Sequence, residues 1–242
     1  MQSGQHITPF LSASGEGTLT AKRLTDIVDF WAVHQPDKIA YRFLADGLHE
    51  ESTITFGELE KRAKHIATHL HTYNYQGCAL LLYPTGLEYI NAFLGCLYAG
   101  IIAVPAYPVT AQVEHGRLKG ILSDSQAQLV LTCESDKTAA DQWLSACGQV
   151  NQIDCITTDT LPDIDIIEPT ANEPVAFLQY TSGSTGHPKG VIITHRNLLH
   201  NLEQIYLSFQ HSQDSVGVSW LPPYHDMGLI GFILAPMCAQ RS

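Results

Sequence analysis

Residues 78–108 read CALLLYPTGLEYINAFLGCLYAGIIAVPAYP, and the fold follows from them. Cys78 to Tyr83 is an unbroken apolar run, as expected of a strand covered on both faces. Thr85 and Glu88 have the spacing of a capping box. They predict a helix over Tyr89–Tyr98, ended by Gly100, which tolerates the left-handed conformation of a helix C-terminus. Ile101 to Val104 is a second apolar run, closed by Pro105 and Pro108. Strand, helix and strand in about 30 residues make a βαβ unit, and the crossover makes its strands parallel.

The alternation continues on both sides. Upstream, Leu24, Ile27, Val28 and Trp31 recur at helical spacing, and Gln35-Pro36-Asp37 stops that helix. Ile39–Leu44 and Glu50–Thr55 read as strands turning at Asp46-Gly47. Thr55 and Glu58 form another capping box, heading a helix to about His71 with Leu59, Ala63, Ile66, Ala67 and Leu70 as its apolar stripe. Downstream come a helix around Val113–Leu122, a strand at Gln128–Thr132, a helix at Lys137–Cys147 and a short strand near Ile153. Residues 157–174 read as a surface connection. A helix over His195–Phe209 and a strand over Ser215–Trp220 follow. The expected fold is α/β, a doubly wound, mostly parallel sheet.

Residues 176–197, AFLQYTSGSTGHPKGVIITHRN, carry the first chemical signal. Two apolar runs enclose a loop in which Thr181, Ser182, Ser184 and Thr185 supply hydroxyls. Gly183, Gly186 and Gly190 let backbone N–H groups approach a ligand. Pro188 stiffens the turn beside Lys189. Hydroxyls, N–H groups and one ammonium form an anion cradle suited to a polyphosphate. The loop is not a Walker A sequence, since Lys189 follows Pro188 and precedes Gly190.

A second signal is SWLPPYHDMGLIGFIL, residues 219–234. Tyr224, His225 and Asp226 stand together after the expected strand, ahead of Met227, Gly228, Gly231 and a helix-like apolar run. Ligands of open α/β sheets bind at the carboxyl ends of strands.

YTSGSTGHPKG resembles the phosphate-binding loop of the adenylate-forming, or AMP-binding, superfamily. Together with WLPPYHDMGLIGFIL and residues 81–108, it is most similar to the N-terminal part of a fatty acyl-AMP ligase, over nearly all of residues 22–238. The resemblance implies ATP and Mg²⁺ as cofactors and a two-step reaction. A long-chain fatty acid would be activated to an acyl-adenylate, then passed to an acyl carrier protein or a polyketide synthase carrier domain. It assigns the ATP phosphates to Thr181, Ser182, Gly183, Ser184, Thr185, Gly186 and Lys189, with Thr181 also facing Mg²⁺. Tyr224, His225, Asp226, Met227 and Gly231 would line the substrate pocket. Residues 1–20 are expected to be a mobile arm and 21–242 a partial adenylation domain. The resemblance places the rest of that domain, and a small C-terminal domain with the catalytic lysine, beyond Ser242. The chain as it stands is accordingly expected to have little activity of its own. Two other readings stay open: an acyl-CoA synthetase fragment, and a non-catalytic nucleotide-binding remnant.

Composition limits the alternatives. At 45% hydrophobic and 15% charged residues, the chain is globular. A formal charge of −11 opposes nucleic-acid binding. No apolar run reaches membrane-spanning length. The N-terminus has no basic-then-apolar leader, so a cytoplasmic location is expected. The six cysteines form no C-x-x-C pair and read as buried thiols. His65, His69 and His71, with Lys61, Arg62 and Lys64, read as the solvated face of a helix rather than a metal site.

Overall fold

The computed structural model describes residues 12–13, 16–18, 21–110, 115–149, 152–169, 173–181, 188–210 and 215–239. They fall into two units, Met1–Glu60 with Thr194–Ser242, and Lys61–Ile193. In the first, β1 (Ser12–Ala13) and β2 (Glu16–Thr18) pair antiparallel. The helix α1 (Leu24–His34) buries Leu24, Ile27, Val28 and Trp31, the residues whose spacing predicted it. The strands β3 (Ile39–Leu44) and β4 (Glu50–Thr55) form the expected hairpin. At the head of α2 (Phe56–Thr72) the capping box forms as read: Thr55 N–H donates to Glu58 Oε2 at 2.9 Å and Glu58 N–H to Thr55 Oγ1 at 3.3 Å.

The second unit holds the sheet. Its strands are β5 (Cys78–Leu82), β6 (Ile102–Ala106), β7 (Leu129–Thr132), β8 (Asp154–Thr157), β9 (Val175–Thr181) and β10 (Lys189–Thr194). Among the described residues they lie in the order β10-β9-β6-β5-β7-β8. The pairs β5–β6, β5–β7, β6–β9 and β7–β8 are all parallel. The helices between them are α3 (Leu87–Ala99), α4 (His115–Ser125) and α5 (Glu134–Ala146). Leu80, Leu82, Val104, Ala106 and Val130 form one buried cluster with Leu118, Ile121 and Leu122 of α4 and with Ala140, Trp143 and Leu144 of α5. Phe93 of α3 packs edge-on against Phe177 of β9, with ring centres 5.6 Å apart. Glycine at 95 in α3 gives room to Ile66 of α2; a Cβ there would lie 2.7 Å from Ile66 Cγ2. Alternate strand residues thus meet different helices, as a doubly wound sheet requires.

Two local expectations fail here. The helix α3 begins at Leu87 behind Gly86 with no side-chain cap; Glu88 faces Arg62 instead, 3.5 Å away, so Thr85 caps nothing. Nor is the histidine face of α2 solvated throughout: His71 and Lys61 are exposed as expected, but Lys64, His65 and His69 are buried. Residues 158–169 run along it as a strap. His65 Nε2 and His69 Nε2 lie 3.0 and 2.7 Å from the one carbonyl oxygen of Pro162. Ile167 N–H donates to Thr68 Oγ1 at 3.1 Å. Lys64, buried, reaches Glu168 at 3.0 Å and lies over the Tyr98 ring. Both imidazoles are buried, and burial lowers the pKa of His65. The strap supplies the partners that water was expected to supply.

In the first unit, α6 (His195–Phe209) is capped by Thr194, whose hydroxyl accepts from Asn197 N–H at 3.1 Å. Residues 227–234 wind as a π-helix: Ala235 N–H returns to Ile230 O, five residues back, and α7 (Ala235–Ala239) follows. Trp31 Nε1–H donates to Met237 O at 3.0 Å and Tyr41 O–H to Ile233 O at 2.9 Å, tying this run to α1 and β3. The strand expected over Ser215–Trp220 is not formed. The segment is open to solvent, with Val216 86%, Val218 71% and Trp220 90% exposed, whereas Trp31 and Trp143 are buried. All six cysteines are free thiols; Cys96, Cys133 and Cys238 are buried. No helix among the described residues is long and apolar enough to cross a membrane.

Candidate functional site

The loop flagged in the sequence joins two neighbouring strands of the sheet. β9 ends at Thr181 and β10 begins at Lys189. Because β9 runs parallel to β6, β5 and β7, Thr181 lies at their carboxyl ends, the edge where α/β sheets bind ligands. Both Thr181 and Lys189 are exposed. Ser182, Gly183, Ser184, Thr185 and Gly186 lie outside the described residues.

The return arm of the loop is fixed by contacts that no motif announced. Pro188 packs on Gly120 in the middle of α4, where a Cβ would meet Pro188 Cγ at 3.1 Å. Gly190 lies flat on the ring of Tyr180; a Cβ there would be 2.9 Å from Tyr180 Cζ. The Tyr180 hydroxyl donates to Asp124 Oδ2 of α4 at 2.6 Å. Burial, then the bond to Asp124, raises this phenol's pKa well above the usual tyrosine value, so it remains a donor. The isolated glycine inside an otherwise helical segment was the available sequence signal for the α4 contact. Among the described residues, no group of three or more His, Cys, Asp or Glu side chains is placed to hold a metal ion. A divalent cation here would depend on phosphate oxygens and on hydroxyls such as that of Thr181.

The second stretch lies in the other unit. Two prolines carry the chain into a turn in which His225 N–H donates to Pro222 O at 3.1 Å. Leu229 N–H then donates to His225 O at 2.8 Å, an α-type turn at the entry to the π-helix. Gly228 is required: a Cβ would sit 2.1 Å from Pro222 O. His225 Nδ1 and Asp226 Oδ1 are 2.5 Å apart, both side chains more than half exposed. Asp226 Oδ1 also accepts from Met227 N–H at 2.7 Å. Met227 is exposed, while Tyr224 and Gly231 are half-buried. The structure therefore presents an imidazole–carboxylate pair at the mouth of a wide helix, with Met227 beside it.

A family model described as AMP-binding enzyme matches residues 28–240, a span that includes both stretches. The chain belongs to the AMP-binding enzyme family. As an AMP-binding enzyme it is 36% identical, over 88% of its length, to the medium-chain-fatty-acid–[acyl-carrier-protein] ligase JamA of Moorena producens. It is 36% identical, over 87% of its length, to a long-chain-fatty-acid–AMP ligase of Mycolicibacterium smegmatis. Among solved structures it is similar to a fatty acyl-adenylate ligase of L. pneumophila in complex with acyl adenylate and pyrophosphate. That match has 38% identity, a TM-score of 0.79, and covers 91% of this chain and 39% of that one. The chain spans 38% and 35% of the two curated relatives' lengths. Its sheet is the doubly wound, mostly parallel one that residues 78–108 predicted.

Proposed function

We propose that this chain carries the phosphate-holding part of a fatty acyl-AMP ligase. In the reaction proposed, the carboxylate of a fatty acid attacks the α-phosphorus of ATP, and the bond to the bridging oxygen breaks. Acyl-adenylate forms and pyrophosphate leaves. The acyl group then passes to the thiol of a carrier-protein phosphopantetheine, releasing AMP. The carboxylate is already an anion at neutral pH, so no general base is needed. The protein's task is to position the phosphates and to stabilise the charge that builds on the leaving pyrophosphate.

The observation that carries this reading is the placement of Thr181 and Lys189 on adjacent strands at the carboxyl edge of the sheet. Lys189 is assigned to the β- and γ-phosphate oxygens, with Thr181 and the intervening hydroxyls and N–H groups around them. Mg²⁺ would neutralise part of the triphosphate charge when bound, with Thr181 beside it. Tyr224, His225, Asp226, Met227 and Gly231 are assigned to the acid substrate. ATP as substrate puts the reaction in the cytoplasm. The activities of these relatives support the substrate class, a medium- or long-chain fatty acid.

Because the chain covers well under half of those relatives, binding is the first test. Pyrophosphate titrated calorimetrically into the wild type is expected to bind, and Lys189→Ala to lower its affinity at least about tenfold, the loss of one charge-assisted contact. Equal affinities would remove Lys189 from the site. ATP–pyrophosphate exchange dependent on a long-chain fatty acid then reads adenylation itself.

A further inference from the structure

We propose that Asp124 and Tyr180 form an anchor that holds the two arms of the phosphate loop at the spacing a polyphosphate needs. This rests on the reading of the loop given above. Asp124 is on α4 and Tyr180 on β9, and the phenol–carboxylate bond, at 2.6 Å, joins them directly. Tyr180 is 8% exposed and immediately precedes Thr181, the last residue of β9. Its ring is also the floor under Gly190 on β10, the residue after Lys189. One side chain thus touches both arms. The same helix bears a second time on the return arm, through Gly120 against Pro188. These two points of α4, four residues apart, lie one helical turn from each other on one face.

The consequence for the ligand is geometric. An exposed lysine on an edge strand can sweep a wide cone, and a strand edge can twist. Contact of Gly190 with a ring that is itself bonded to α4 limits both movements. Positioning of this kind acts before the ligand arrives, so the cost of ordering the site is not charged against binding. Tyr180 and Asp124 are positioning residues; neither is assigned to the reacting atoms. The contact also explains why a glycine is needed at 190, since any side chain would lift the strand from the ring.

The test uses Asp124→Ala, Asp124→Asn and Tyr180→Phe in the 242-residue chain. Asp124 is exposed, so its variants should keep the fold, and their melting temperatures check this. Hydrogen exchange is followed in the peptides spanning Val175–Thr181 and Lys189–Thr194, and pyrophosphate affinity is measured by calorimetry. Asp124→Ala and Tyr180→Phe are expected to speed exchange in both strands and to weaken pyrophosphate binding about fivefold, less than the full worth of a hydrogen bond to a charged group because the lost bond positions the loop arms and does not touch the ligand. Asp124→Asn keeps an acceptor oxygen and should recover most of both. Wild-type exchange and affinity in Asp124→Ala would overturn the anchor. A wild-type chain that fails to bind pyrophosphate would instead overturn the reading of the loop, and the positioning role with it. Binding by the wild type with equal binding by all three variants overturns the positioning role alone.

Discussion

At the scale of single residues, His195 sets an acid limit on the first unit. Its Nδ1 accepts the Leu24 N–H at 3.1 Å, which only a ring unprotonated at that nitrogen can do. Burial, reinforced by the nearby charge of Arg23, pulls its pKa from 6.5 to about 4, while Asp26 opposes the change. The unfolded chain therefore takes up this proton first as pH falls. Stability linked to His195 is complete above the unfolded value and is lost progressively between pH 6.5 and about 4. The loss by pH 4 is on the order of 3 kcal/mol at most. Urea unfolding midpoints across that range check this, and His195→Gln should flatten the curve. Gly228 is a second such point. A methyl group there meets the backbone oxygen of Pro222, not a side chain that could swing away. Gly228→Ala is expected to cost at least about 2 kcal/mol, read as a drop in unfolding midpoint.

At the scale of elements, α2 and α3 pack through Gly95 and Ile66. Gly95→Ala should destabilise the sheet unit by about 1–3 kcal/mol through overpacking, and Ile66→Ala in the same chain should recover part of it. A double-mutant cycle with no coupling between the two sites would contradict the close approach. These packing relations mark what a sequence conveys and what it withholds. The β5–α3–β6 unit was legible because its strands are covered on both faces and so carry no polar residue. β9 and β10 were legible as the two apolar runs that enclose the glycine- and hydroxyl-rich stretch. Ser215–Trp220 misled for a physical reason: Val216, Val218 and Trp220 alternate as in a strand, yet alternation reports a preference for extended backbone, and a strand also needs a neighbour. The histidine face of α2 was misread because its cover, the strap around Pro162, lies about 95 residues downstream. The Asp124–Tyr180 bond was hidden in the same way, being a contact between a helix and a strand four elements further on.

At the scale of the molecule, charge and exposed apolar surface oppose each other. The net charge is −11, and self-repulsion favours the monomer at low ionic strength. Val216, Val218 and Trp220 nevertheless face water, as does Phe209 at 73% exposure. Screening of the repulsion by salt should therefore promote association through this apolar surface. Sedimentation velocity at low and high salt is expected to show a salt-dependent shift to larger species. The triple variant Val216→Thr, Val218→Thr, Trp220→Ser should reduce it; an unchanged shift would place the contact elsewhere. The three tryptophans also divide the molecule optically. Trp31 is enclosed in the first unit, Trp143 in the sheet unit, and Trp220 lies in solvent. Iodide should quench Trp220 and spare the other two, and a pair of single-tryptophan proteins would give each unit its own fluorescent signal. Whether the halves of this chain melt together or in turn then becomes a question of two emission curves, with no dye attached.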